Sequence, residues 1–249
     1  RHAPATVGTI NGWVNSKTNG KIPTILKAID PAQVMLLIDA IYFKGHWRNG
    51  FDPSKTQAGE FHPASGSVQD VPMMSLHGKL SFAFTTDAQV AELPYGNGAF
   101  AMTIAIPASG HTINQLMAGL DAAHYAGWVA QLRDDDLDLS VPKFTFDYSR
   151  QLNDDLSALG MRIAFDTLAD FSRIATLSRG EHLFISNVTQ KTFVDVNEDG
   201  TEAAAVTSVG ISRSASKTPV IEINQPFLFV LRERLSGTIF FVGQVNRIP

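Results

Sequence analysis

Apolar positions recur along this chain with two different periods. Ile10, Trp13 and Val14 stand at i, i+3 and i+4, and Ile22, Ile25 and Leu26 repeat that spacing after an Asn19-Gly20 break. This stripe predicts helix over residues 5–27. Asp30-Pro31 marks a turn, and Val34 to Phe43 is a near-continuous apolar run with β-branched and aromatic members. Its length and flanks predict a buried central strand. Residues 50–79 are rich in turn signals, among them Asp52-Pro53, His62-Pro63 and Ser65-Gly66. Period two then takes over. Short strands are predicted at Ser81–Thr86 and Gln89–Leu93, and Ala99–Ile106 places Phe100, Met102, Ile104 and Ile106 on one face. Asn97-Gly98 is a strong hairpin turn between the last two. Residues 112–131 read as helix. Leu137, Leu139 and Val141 alternate, and Phe144 and Phe146 resume after Pro142. Leu152, Leu156 and Leu159 predict a short helix ended by Gly160. Phe184–Asn197 is a long strand with Val188, Thr192, Val194 and Val196 on one face, and strands at Phe227–Leu231 and Thr238–Val245 close the chain. The pattern is α+β with long antiparallel or mixed sheets. No repeat, low-complexity tract or linker divides it.

Composition narrows the function classes. The chain has 249 residues, 44% hydrophobic and 18% charged, which is enough apolar material for a core. Lys and Arg number 20 against 24 Asp and Glu, a net charge of −4. A nucleic-acid binder that displaces counterions would need the opposite balance. The longest apolar runs, Val34 to Ile38, Phe227 to Leu231 and Ile239 to Val242, fall far short of the ~18 residues of a membrane span. No membrane partner is expected. There is no cysteine, which removes disulfides, thiolate zinc sites and cysteine nucleophiles. The first residues, Arg1-His2-Ala3-Pro4-Ala5, include neither an initiator Met nor an apolar signal segment, as expected of a processed product or a fragment.

Catalytic motifs are missing. Neither a G-x-S-x-G elbow nor an H-E-x-x-H zinc helix is present, and the seven His are scattered. Gly96-x-Gly98 lacks the third glycine of a dinucleotide loop. The run Asp134-Asp135-Asp136 with Asp138 reads as a solvated helix end before a strand rather than a cation site. Asn187-Val188-Thr189 is a glycosylation sequon, but it falls inside a predicted strand and reads as chance. No metal, no cofactor and no enzymatic activity is expected.

One segment stands apart. Residues 198–217 run from Glu198 through Ala203-Ala204-Ala205 to Lys217, between two strands. They are too many and too small-sided for a tight hairpin, and such loops are usually functional or disordered. Read with period two, Thr201, Ala203, Ala205, Thr207, Val209 and Ile211 make an uncharged small or apolar face. The other face, Glu202, Ala204, Val206, Ser208, Gly210 and Ser212, tolerates water. That alternation fits a strand waiting for a sheet. A flexible Ala/Ser loop fits the composition equally well.

Eight pieces in order carry a resemblance. They are Asp39-Ala40-Ile41-Tyr42-Phe43-Lys44-Gly45-His46-Trp47, Val71-Pro72-Met73-Met74, Leu93-Pro94-Tyr95, Val141-Pro142-Lys143-Phe144, Leu159-Gly160-Met161, Ala169-Asp170-Phe171-Ser172, Val194 through Ala205, and Pro226-Phe227-Leu228-Phe229. From Trp13 to Pro249 the chain resembles the C-terminal part of a serpin.

That resemblance implies an α+β serpin-like fold, with a large central sheet, further sheets and packed helices, in a single domain over 1–249. The domain is expected to be partial, because the family's N-terminal helices and first strands have no counterpart here. The helix at 5–27 resembles the one that lies across the sheet. The implied activity is protease inhibition by a suicide substrate. A reactive loop, here 198–217, is cleaved by a serine or cysteine protease and inserts into the central sheet before the acyl ester is hydrolysed. The hinge is Glu198, Gly200, Thr201, Glu202, Ala203, Ala204 and Ala205, with Val34–Phe43 and Phe184–Asn197 flanking the insertion gap. Counting from Glu198 puts the cleaved bond after Ser214, or after Arg213 if the loop is one residue shorter. Arg213 is favoured as the anchor for an acidic, trypsin-like pocket. Trp47 matches the family's tryptophan at the top of the sheet, and Lys143 with Glu198 its hinge ion pair, expected to be exposed and worth about 0–1 kcal/mol. The family usually has Asn at Asp39 and often His at Gln190. An Asp there is expected to be buried, either protonated or bonded to Gln190, altering the gating of the sheet. The implied partner is a target serine protease met outside the cell by a secreted monomer. The alternatives are a non-inhibitory carrier or chaperone serpin, or an inactive fragment that traps no protease without its N-terminal part.

Overall fold

A computed structural model describes residues 3–174, 182–199 and 218–249. Residues 1–43 with 145–194 form one compact unit, and 44–144 with 195–249 form another.

In the first unit, helix α1 spans Ala3–Lys17 rather than 5–27. Asn19 and Gly20 take φ of 50° and 79°, a left-handed pair that ends the helix. The apolar residues beyond are still buried, but in an irregular strap: Ile22 is 0% and Leu26 7% exposed. Asn11 replaces the missing helical hydrogen bonds, accepting from Ile25 N and Leu26 N and donating to the Leu26 carbonyl. The strands of this unit are β1, Leu36–Tyr42, β7, Phe144–Gln151, and β8, Asn187–Val196, in the order β1-β8-β7. β1 and β8 are parallel and directly paired from Leu36↔Asn187 to Tyr42↔Phe193. The short helix predicted before Gly160 begins as α4, Asn153–Leu156, and Gly160 itself has φ of 103°.

The second unit is built on a larger sheet. The turn-rich stretch 50–79 contains β2, Gln57–Phe61, and the first half of β3, Gln69–Phe84. Turn signals hide it in the sequence: β3 passes through Pro72, and through Gly78 at φ of 149°. β4, Ala88–Tyr95, and β5, Phe100–Pro107, form the hairpin expected at Asn97-Gly98. The Asp134–Asp136 run is not a helix end. It lies inside β6, Arg133–Pro142, paired along its length with β3. β9 is Val220–Glu222, β10 Phe227–Glu233 and β11 Ile239–Val245. The strand order is β11-β10-β5-β4-β3-β6-β9, with β2 paired to β3. β5 is buried on both faces from Ala101 onward; β10 and β4 pair its two edges, and helices pack on the face that carries Ala105. The single predicted helix over 112–131 is two, α2 at Ile113–Gly119 and α3 at Ala122–Gln131, each started by its own cap, Thr112 and Asp121. Their apolar sides meet the sheet in a cluster of Val90, Ala105, Ile113, Leu116, Trp128 and Val230.

One close approach in this sheet requires glycine. Gly243 on β11 faces Phe229 on β10, and a Cβ at Gly243 would overlap the Phe229 ring. Phe229 is itself held by Phe144, with centroids 5.8 Å apart. Gly243→Ala therefore overpacks a buried contact and is expected to destabilise the chain by about 1–3 kcal/mol. Urea denaturation measures this, and an unchanged midpoint would contradict the packing.

Candidate functional site

The candidate site is the end of β8, where the chain leaves the sheet. Four neighbours grip three consecutive residues there. The Trp47 indole donates to the Asn197 carbonyl at 2.9 Å, and its backbone N–H donates to the Asp199 carbonyl at 3.1 Å. The Phe51 N–H donates to the Glu198 carbonyl at 2.9 Å. The Glu198 carboxylate is held at both oxygens, by Lys143 Nζ at 2.8 Å and by the Thr56 hydroxyl at 2.7 Å. Trp47 is fixed in turn by stacking on Tyr95, with centroids 4.3 Å apart and planes 20° apart, and by the edge of Phe51.

The local sequence explains the grip. Trp47 forms a single bridge to Tyr95, which brings the 47–51 segment beside the β4–β5 hairpin. Arg48 then donates to the Gly96 and Asn97 carbonyls of that hairpin's turn. Asp52 caps the short helical turn Pro53–Lys55 and so delivers Thr56 to Glu198. Lys143 follows Pro142 at the end of β6, and its N–H donates to the Pro72 carbonyl.

Electrostatics tighten the clamp. The Glu198 side chain is 11% exposed and that of Lys143 37%, so the carboxylate is buried while its lysine stays partly in solvent, where the sequence implies an exposed pair. Burial, the largest influence, pushes the Glu198 carboxyl up. The Lys143 and Thr56 hydrogen bonds, a backbone N–H and the lysine charge outweigh it, and the carboxyl sits below its ordinary range.

The second gating pair lies in the first unit. Gln190 donates to Asp39 Oδ2 at 2.9 Å across the β1–β8 pair, whose register sets Asp39 opposite Gln190. The bond to Gln190 is as expected, but Asp39 is exposed rather than buried. It shares its face of β1 with Leu37, which is 37% exposed, because alternate residues of a strand point the same way. No strand separates β1 from β8 among the described residues.

Gly200, Thr201, Glu202, Ala203, Ala204, Ala205, Arg213 and Ser214 lie outside the described residues. The Asn187 sequon is in β8, where the residue is 9% exposed and its side chain donates to Thr189 Oγ1. Sequence reasoning misses Thr56 and Phe51. Both sit in a turn-rich stretch, and only the Asp52-Pro53 cap hints at order there. A further charged cluster, Glu92 with Arg232 at 2.6 Å and Arg234 at 3.0 Å, is buried around a 1% exposed carboxylate. The Glu92 carboxylate accepts from the buried Arg232 of β10 and from the partly exposed Arg234 just beyond it, which ties β4 to β10, a structural role. Among the described residues no group of His, Asp and Glu has the arrangement of a metal site.

The comparisons with known proteins agree with one another. The family model described as serpin, serine protease inhibitor, matches residues 1–248. Serpin B11 of Mus musculus is 39% identical over 246 residues, which are 95% of this chain and 62% of that protein. Serine protease inhibitor 42Dd of Drosophila melanogaster is 35% identical over 252 residues, 98% of this chain and 64% of that protein. The crystal structure of a thermophilic serpin, Tengpin, in the native state matches with a TM-score of 0.88 at 32% identity, covering 98% of this chain and 63% of that one. The chain spans less than two thirds of the length of these relatives.

Two outcomes test the clamp. Lys143→Met leaves the buried Glu198 oxygen without its cation and is expected to cost about 1–3 kcal/mol in a denaturation series. Acid should release the same contact. Because the folded carboxyl is lowered, its contribution is complete above the unfolded glutamate range and is lost as pH falls through the folded value. The stability difference between the parent and Glu198→Gln should therefore shrink towards zero on acidification. A difference that grows would contradict the clamp.

Proposed function

We propose that this chain, which belongs to the serpin family, is the part of a protease inhibitor that carries both the bait and the sheet that receives it, as one domain. The observation that carries the reading is the uninterrupted parallel pairing of β1 with β8, together with the clamp on the residues where β8 ends. A strand entering between β1 and β8 replaces one parallel ladder with two antiparallel ones, and antiparallel pairing is the more stable per residue. Cleavage supplies that strand. Residues 200–213 reach about 45 Å when extended, and one uncharged face is then buried.

The chemistry is a diverted acyl transfer. The protease serine hydroxyl attacks the Arg213 carbonyl carbon, the Arg213–Ser214 bond breaks, and the Ser214 nitrogen leaves carrying a proton. The protease remains as an ester of Arg213. The new end of the loop is free to enter the sheet, small residues at Gly200–Ala205 passing first. The ester is carried away from its attacking water. Arg213 favours a trypsin-like target, whose carboxylate pocket matches a guanidinium. An encounter outside the cell belongs to the same proposal.

The full reading frame that contains this chain is expected to form a detergent-stable adduct with trypsin. The released peptide should begin at Ser214 by mass spectrometry, and one beginning at Ala215 would move the cleaved bond. Reversible or substrate-only behaviour with every serine protease tried would sink the reading. Thr201→Arg should convert inhibitor to substrate, because an arginine desolvated on entry costs several kcal/mol and slows insertion below deacylation.

A further inference from the structure

The sequence holds four Asn-Gly dipeptides, at Asn11, Asn19, Asn49 and Asn97. Asn-Gly is the pair most prone to intramolecular attack by a backbone nitrogen on the preceding side-chain amide, because glycine has no Cβ to crowd the approach. The fold guards three of the four. Asn11 spends its side chain on Ile25 and Leu26 inside α1. The Gly20 N–H donates to the Asn15 carbonyl. The Gly98 N–H donates to the Tyr95 carbonyl, and Asn97 Oδ1 accepts from Ala99 N. Asn49-Gly50 has no such guard. Neither the Asn49 side chain nor the Gly50 N–H has a hydrogen-bond partner among the described residues, and Asn49 is only partly buried.

We propose that Asn49-Gly50 is a spontaneous deamidation and isomerisation site, and that its conversion loosens the clamp on the end of β8. The Gly50 nitrogen loses its proton and bonds to Asn49 Cγ, while the Cγ–Nδ2 bond breaks and ammonia leaves. The resulting succinimide takes up water. Attack at Cγ gives an ordinary aspartate at this position, and attack at the α-carbonyl gives an isoaspartate whose main chain runs through Cγ. Either product adds one negative charge. The isoaspartate also lengthens the backbone by one carbon between Trp47 and Phe51. Those two residues donate to consecutive carbonyls, Asp199 and Glu198. The longer path cannot hold both bonds in register.

The site is chosen by the hydrogen bonds that Asn49 and Gly50 lack among the described residues, and it stands whether or not the chain inhibits a protease. Ageing the protein at mildly alkaline pH and mapping its peptides by mass spectrometry tests it directly. Asn49 is expected to convert at least about tenfold faster than Asn11, Asn19 or Asn97, whose hydrogen bonds must first open. The isoaspartyl fraction should show faster hydrogen exchange at the Trp47 and Phe51 amides. Asn49→Gln should abolish the conversion. Gly50→Ala should slow it and leave the clamp intact, since the added Cβ meets the Glu198 carbonyl oxygen at an ordinary 3.5 Å. Conversion at Asn49 no faster than at Asn19 or Asn97 overturns the site. Conversion that leaves the Trp47 and Phe51 amides protected overturns its coupling to the clamp.

Discussion

A carboxylate buried at the end of a strand organises this region of the chain. Glu198 is held at both side-chain oxygens and through its own carbonyl, and the residues on either side are held by Trp47. A buried carboxylate without partners would be costly, so Lys143 and Thr56 must be delivered to it. That requirement is met by the turn at 52–56, which delivers Thr56, and by Lys143, which follows the end of β6 at Pro142. The clamp fixes where β8 ends and where the segment after it begins.

The clamp and the β1–β8 pair suit the proposed mechanism for different reasons. A seam to be opened by an incoming strand should be complete beforehand yet replaceable. A parallel ladder bridged by an exposed side-chain bond, Gln190 to Asp39, and by the edge contact of Tyr42 with Phe193 meets both conditions. The proposed mechanism also needs residues 197–199 held before cleavage, and the clamp holds them.

Much of this is legible in the sequence where one signal dominates. The β4–β5 hairpin follows from Asn97-Gly98 between alternating runs, and β8 from its long apolar face. The eight ordered motifs point to the fold, and with it to Trp47, Lys143, Glu198, Asp39 and Gln190. Illegible features are those where local and tertiary signals disagree. Ile22 and Leu26 keep helical spacing, yet Asn19 and Gly20 end the helix and burial alone preserves the pattern. β3 carries Pro72 and a polar His77-Gly78-Lys79 stretch, which pairing with β2 and with β6 overrides. Four aspartates look like a helix end, because charge density says nothing of a partner strand. The burial of Glu198 is hidden because its covering residues lie more than fifty positions away in sequence, as does Lys143.

The claim that the loop enters between β1 and β8 has one direct test. The chain has no cysteine, and Asp39 and Gln190 already meet across the seam. Replacing both, as Asp39→Cys with Gln190→Cys in the full reading frame, allows a disulfide to lock the seam shut, since neighbouring strands lie within bridging distance. Adduct formation with trypsin is then compared before and after reduction. The oxidised protein should be cleaved after Arg213 without trapping the protease, and the reduced protein should trap it. Equal trapping by the locked and unlocked forms would show that the loop does not enter between these strands.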